Sequence, residues 1–258
     1  MRKKETDGLS PGGTALLAEA FGLAGLSKGC SVLDVGCGEA DALECIRVGY
    51  DARCTGIDQS EAFIGRAREK YPKLTLMKGD ADFLEFPSCS FDAVTAECVL
   101  SLSKLREEVI HEAYCVLKPG GRYIIADLCD REQLRSLPEL EVGAGNGTLD
   151  GRTPEAPESG SCGQASDADE TQDVVIDVRA LANSCTEIGF RIMQIEDRSR
   201  ELDSFAAEIM LKYGSLESYA RSVAPEDGSE ASICRAWSYE GKLGYFLMIL
   251  EKPERVGR

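Results

Sequence analysis

The chain has 258 residues, with 45 Asp and Glu against 29 Lys and Arg, a formal net charge of -16, 43% hydrophobic residues and 7% aromatic ones. That length supports a sizeable core in one large domain, or in one domain carrying an inserted cap. The charge argues against a nucleic-acid partner, which needs clustered Lys and Arg to displace counterions, and no apolar run reaches the ~18 residues of a membrane-spanning helix.

The chain starts with MRKKET, but DGLSPGG follows it, polar and turn-forming where a signal peptide would be apolar. A soluble cytoplasmic protein is expected. The 11 cysteines are odd in number and include no CxxC pair, so neither a disulfide scaffold nor a zinc ribbon is indicated, and no metal site is expected. They read as reduced, small buried hydrophobes.

In chain order, Ser10-Pro11-Gly12-Gly13 is a turn, and Ala15 to Leu26 an amphipathic helix. Val32 to Val35 reads as a strand, Ala40 to Val48 as a helix and Arg53 to Ile57 as a strand. Ser60 to Lys70 reads as a helix with Ser60 as its cap. Leu74 to Met77 and Phe91 to Ala96 are strands, Lys104 to Leu117 a helix, and Arg122 to Ala126 a strand after Lys118-Pro119-Gly120-Gly121. This alternation predicts an α/β fold, a doubly wound, mostly parallel sheet with right-handed crossovers. Ligands of such sheets bind beyond the carboxyl ends of the strands.

Residues 143–172 are rich in Gly, Ser, Pro and acids, and too poor in apolar surface to offset their ordering entropy, so a mobile acidic insert is expected there. Asn146-Gly147-Thr148 matches a glycosylation sequon by chance. A helix follows at Val178 to Ile188, ended by Gly189, then a strand at Phe190 to Ile195. Leu202, Phe205, Ile209 and Tyr213 share one helical face, read as a packing surface. Ser229 to Tyr239 reads as helical or irregular, and Gly244 to Leu250 as a last strand.

The stretch VLDVGCGEAD, residues 32–41, carries the first functional signal. In the dinucleotide pattern G-x-G-x-x-G counted from Gly36, the third small position falls on Asp41, whose charge opposes the close helix–strand packing that the pattern needs. The alternative is an acid followed by small residues at alternate positions, Asp34, Gly36, Gly38 and Ala40.

VLDVGCGEAD, GIDQS, KGDADFLEF, FDAVTAECVL and LKPGGRYIIAD, in this order and spacing, resemble the successive motifs of class I S-adenosylmethionine-dependent methyltransferases, in particular the quinone-biosynthesis branch. The likeness covers residues 14–128 and, less specifically, the terminal strands. It implies a seven-stranded Rossmann-like sheet in a single methyltransferase domain over 1–258. That domain divides into a cofactor core at 14–128, the insert at 143–172, and terminal strands with a small helical substrate cap at 173–258.

The implied cofactor is S-adenosylmethionine and the implied partner a small-molecule methyl acceptor. Asp34, Gly36, Cys37 and Gly38 would surround its methionine part. Asp58, with Gln59 beside it, would hold the ribose, and Asp80 and Ala81 would border the adenine. Glu97 and Cys98 would face the methyl-transfer edge. Ala40 departs from the family's third glycine and is expected to tighten the loop. Glu97 or Asp127 is the candidate base, and the single histidine, His111, reads as a surface residue.

A second likeness, from Ser161-Cys162-Gly163 through Ile195-Glu196-Asp197, is to arsenite methyltransferases. It implies Cys162 as a catalytic thiol and metalloid ligand, with Cys234 as another, whereas Cys45 lies at an offset that does not match. A cofactor-binding accessory protein without catalysis is the third reading.

Overall fold

The computed structural model describes residues 10–137, 175–223 and 242–254. The insert at 143–172, Cys162, Cys234 and the stretch Ser229 to Tyr239 lie outside the described residues. The elements in chain order are α1 (Gly13–Leu23), β1 (Ser31–Val35), α2 (Asp41–Tyr50), β2 (Arg53–Asp58), α3 (Glu61–Lys70), β3 (Thr75–Lys78), β4 (Phe91–Glu97) and α4 (Arg106–Val116). There follow β5 (Leu117–Asp130), α5 (Arg131–Arg135), α6 (Val178–Ile188), β6 (Arg191–Asp197), α7 (Ser199–Tyr213), α8 (Leu216–Val223) and β7 (Leu243–Glu251).

The strands form one sheet in the order β3-β2-β1-β4-β5-β7-β6. β1 is parallel to β2 and β4, and β4 to β5, whereas β7 runs antiparallel to both β5 and β6. The expected mostly parallel, doubly wound sheet is therefore present. Its inner strands β1, β4, β5 and β7 are buried on both faces, whereas the edge strands β3 and β6 are partly exposed. Along β7, Tyr245, Leu247 and Ile249 enter the core that α1, α2 and α3 cover. Phe246, Met248 and Leu250 enter the opposite core, under α4 and α6. Each fully buried large side chain contributes about 1.5–3 kcal/mol.

Local chemistry sets the element ends. Ser60 caps α3 by accepting the Phe63 N–H, and the acid and bases at its two ends complement the helix dipole. α6 starts where Asp177 accepts from Arg179 and Ala180, and stops at Gly189, whose φ of 118° closes the turn. α1 ends at Leu23, short of the expected Leu26, because Gly25 turns left-handed at φ 66° and Leu26 N–H donates back to Phe21 O.

β5 is longer than expected and takes in Lys118-Pro119-Gly120-Gly121. Gly120 N–H donates to Lys252 O and Lys252 N–H to Gly121 O, so the residue that follows β7 holds that segment in line. Pairing with β4 is irregular there, between Phe91 and Ala93. The expected helical face on α7 is a packing face. Leu202 and Ile209 are buried, and the Phe205 and Tyr213 rings pack against Tyr219 of α8, an element that sequence patterning did not predict.

One position couples sheet and loop. A Cβ at Gly56, in β2, would meet Cys37 Sγ and Leu76 Cδ2 at 2.8 Å and Leu43 Cδ2 at 3.0 Å. Overpacking of a close-packed interior costs about 1–3 kcal/mol, so Gly56→Ala is expected to lower the urea midpoint by that amount with an unchanged denaturant slope.

Candidate active site at the carboxyl ends of the strands

The loop after β1 is built for close approach. Gly36 has φ 69° and Gly38 φ 53°, and a Cβ at Gly36 would stand 2.5 Å from Val99 Cγ2. Cys37 N–H donates to Ile57 O at 2.9 Å, which ties the loop to β2. The Cys37 side chain packs over Gly56 and its thiol is pushed well above the usual range by burial, followed by the charges of Asp34 and Asp58. Cys37 is thus a neutral packing group in the loop.

Ala40, in the family's third-glycine slot, is buried and left-handed at φ 61°, directly ahead of α2. That conformation costs an L-residue about 1–2 kcal/mol, so the tightening expected from the sequence takes the form of backbone strain. Asp41, the residue that spoils the dinucleotide pattern, opens α2 and pairs with Lys70 Nζ at 2.7 Å. It points away from the sheet edge, to an ion pair between helices.

Asp34 is buried on β1, where Thr95 Oγ1 donates to its Oδ1 at 2.6 Å. Burial pushes its carboxyl up to about 7, with the Asp58 charge adding to the shift and the Thr95 hydroxyl opposing it. Asp58, at the end of β2, accepts the Gly38 N–H at 2.9 Å and the Ser60 N–H at 2.8 Å. The two loops are so joined through one carboxylate. Gln59 beside it is exposed, as is Asp80 in the turn after β3, while Ala81 is half-buried against the lower core.

Glu97 ends β4, half-buried, and Tyr245 Oη donates to its Oε1 at 3.3 Å. Burial pushes its carboxyl up to about 8; Asp34 and Asp127 raise it further, and hydrogen bonds from Ser10 and Tyr245 oppose this. Cys98 follows at φ 54°, its thiol 3.7 Å from Tyr245 Oη and held well above its ordinary range by burial. Asp127, fully buried on β5, accepts the Ser101 and Leu128 N–H groups, and burial raises it too.

The structure therefore brings Asp34, Gly36, Cys37, Gly38, Asp58, Glu97 and Cys98 to one edge, with Asp127 behind them. His111 is exposed on α4, as expected. Sequence patterning missed Tyr245, Thr95 and Ser10. Thr95 carried a signal, a polar residue inside the apolar run of β4; Tyr245 carried none, because its role depends on β7 returning antiparallel beside β5. Among the described residues no cluster of three or more His, Cys, Asp or Glu could hold a metal ion.

The donors and acceptors fit S-adenosylmethionine. The missing Cβ at Gly36 lets the loop lie against Val99, one carboxylate suits a pair of hydroxyls, and Asp34 and Glu97 suit a cation. A seven-stranded sheet with this order, its last strand antiparallel and a glycine loop after β1, is the fold of class I S-adenosylmethionine-dependent methyltransferases.

Residues 26–142 match the family model described as a methyltransferase domain. Over 116 residues the chain is 37% identical to the demethylmenaquinone methyltransferase of Listeria welshimeri, covering 42% of this chain and 49% of that protein. The chain thus spans about half the length of the curated relatives it matches. The solved structure of the cyclase SpnF superimposes with a TM-score of 0.66 at 23% identity, over 93% of this chain and 82% of that one. Phosphoethanolamine N-methyltransferase 2 of Haemonchus contortus, solved with S-adenosyl-L-methionine, gives 0.66 at 17% identity, over 95% and 54%. The likeness to arsenite methyltransferases gains no support from these relatives.

The raised carboxyls make stability depend on pH. A group whose folded value lies above its unfolded one stabilises the fold below the unfolded value and loses that contribution as pH rises through the folded one. For Glu97 that window runs from 4.5 to about 8. The urea midpoint of the protein is expected to fall between pH 5 and pH 9, and Glu97→Gln to remove on the order of 2 kcal/mol of that fall.

Proposed function

We propose that the chain transfers the methyl group of S-adenosylmethionine to a small organic acceptor. The observation that carries the reading is the convergence of the Gly36–Gly38 loop, Asp58 and Glu97 at the carboxyl ends of the adjacent strands β2, β1 and β4. The methyltransferase family of residues 26–142 and the activity named for the Listeria relative support it.

When bound, S-adenosylmethionine supplies a methyl carbon activated by a positively charged sulfur. The chain's own residues then have five tasks. The Gly36 and Gly38 backbone lies against the methionine part, with Cys37 filling the loop from behind. Asp58 accepts from the ribose hydroxyls, its orientation set by the Gly38 and Ser60 amides and Gln59 flanking it. Asp80 and Ala81 border the adenine. Glu97 faces the reacting edge, with its Oε1 held by Tyr245, and takes the acceptor's proton where the acceptor has one to lose. Burial around Cys98 and Asp127 keeps water from that edge, and positioning and desolvation carry much of the acceleration of such a displacement.

The reading extends to the whole chain as one domain, with 14–128 as cofactor core and 173–258 supplying strands and a substrate cap. The net charge of -16 supports a small-molecule partner over a nucleic acid, and a cytoplasmic location accompanies it. No helix among the described residues is long and apolar enough to cross a membrane.

Calorimetric titration with S-adenosylmethionine, followed by labelled-methyl turnover on a metabolite panel, tests the reading. Asp58→Ala is expected to weaken cofactor binding by about 2 kcal/mol, the loss of charge-assisted hydrogen bonds to the ribose. Unchanged affinity in that variant overturns the ribose assignment.

A further inference from the structure

The site holds more acid than a ribose requires. Asp34, Asp58, Glu97 and Asp127 end or nearly end β1, β2, β4 and β5, which are neighbours in the sheet. Among the described residues, no Lys or Arg forms an ion pair with Asp34, Glu97 or Asp127.

The groups that bear on Glu97 are Ser10 ahead of α1, Asp34 on β1, Asp127 on β5 and Tyr245 on β7. Those that bear on Asp34 are Thr95 on β4, Asp58 on β2 and the thiols of Cys37 and Cys54. Every one is an acid or a neutral hydrogen-bonding group. Two carboxyls buried in such company hold protons unless a positive charge enters.

We propose that Glu97 distinguishes the methyl donor from its demethylated product by charge: the sulfonium, the one positive charge that the donor has and the product lacks, drives the Glu97 proton out to solvent, whereas the product, which brings only the α-ammonium that both ligands set beside Asp34, lets that proton remain. This rests on the methyltransferase reading and deepens it. Its consequence is a base made ready by the cofactor. A Glu97 whose proton has gone to solvent on binding of the sulfonium has an empty Oε for a proton from the acceptor, and without the cofactor it does not. Burial that pushes Glu97 to about 8 places the exchange near neutrality. Tyr245 adjusts it, since its hydroxyl donates to the charged form of Glu97.

The test is calorimetry of the full chain with S-adenosylmethionine and, separately, S-adenosylhomocysteine, at pH 7 in two buffers of different ionisation enthalpy and across pH 6–9. The donor is expected to release about one proton more than the product at pH 7, and its affinity relative to the product to rise with pH by up to about tenfold per unit. Glu97→Gln is expected to reduce the proton release and flatten the ratio. Tyr245→Phe, which keeps the ring and removes the donor, is expected to shift the pH dependence upward by about half a unit.

If Glu97→Gln fails to bind either ligand, the upward shift in Tyr245→Phe supports the proposal and an unshifted profile overturns it. Equal proton counts for the two ligands, with a pH-independent ratio, overturn the proposal and leave the cofactor assignment standing. No binding of either ligand overturns both.

Discussion

The burial of like-charged groups is the constraint around which the site is arranged. A carboxylate taken from water loses solvation that only hydrogen bonds or an opposite charge can replace. Asp34 has Thr95, Asp58 has two backbone amides, Asp127 has two more, and Glu97 has Tyr245 and Ser10. Each partner comes from a different element, so the acids stay where they are only while β1, β4, β5, β7 and the segment before α1 are all in register. The sheet is the frame that sets like charges beside one another, and a cationic ligand is what relieves them.

The glycine loop follows from the same geometry. Gly36 and Gly38 take left-handed conformations that an L-residue resists, and Ala40 takes one without being glycine. The loop is fixed at two adjacent residues, by the Cys37 amide on Ile57 and by the Gly38 amide on Asp58, and closed by the Ala40 amide on Cys37 O. Its strain is therefore carried by hydrogen bonds to β2 together with one inside the loop. Cys37, whose position between two glycines could suggest thiol chemistry, fills the space over Gly56 instead.

Most of the parallel half of the fold was legible in the sequence, because its signals are local. Val32 to Val35 and Phe91 to Ala96 are short apolar runs, Ser60 is a cap, Gly189 is a stop, and the acids that end the strands stand beside small residues. Asp34, Asp58 and Glu97 could be placed because the motifs that contain them resemble those of the methyltransferases. What escaped was non-local. Tyr245 reads as one more aromatic residue in an apolar strand, and only its pairing opposite Leu128 brings its hydroxyl to Glu97. The extension of β5 back to Leu117 escaped likewise, since Pro119 and two glycines signal a turn until Lys252 pairs with them. The protonation of the carboxyls was equally hidden, as it depends on burial and not on residue type.

β7 is the last of the described strands in chain order, yet it lies between β5 and β6 and pairs with β5 from Arg122–Glu251 to Asp130–Leu243. During translation β5 lacks that partner for more than a hundred residues of chain growth, and its stretch Tyr123 to Ala126 is apolar throughout. An emerging chain can form its cofactor loop early but leaves that edge of β5 open until β7 has been made, the interval in which self-association competes with folding. The order of the strands thus makes β7 a late step of folding as well as the source of the tyrosine beside Glu97.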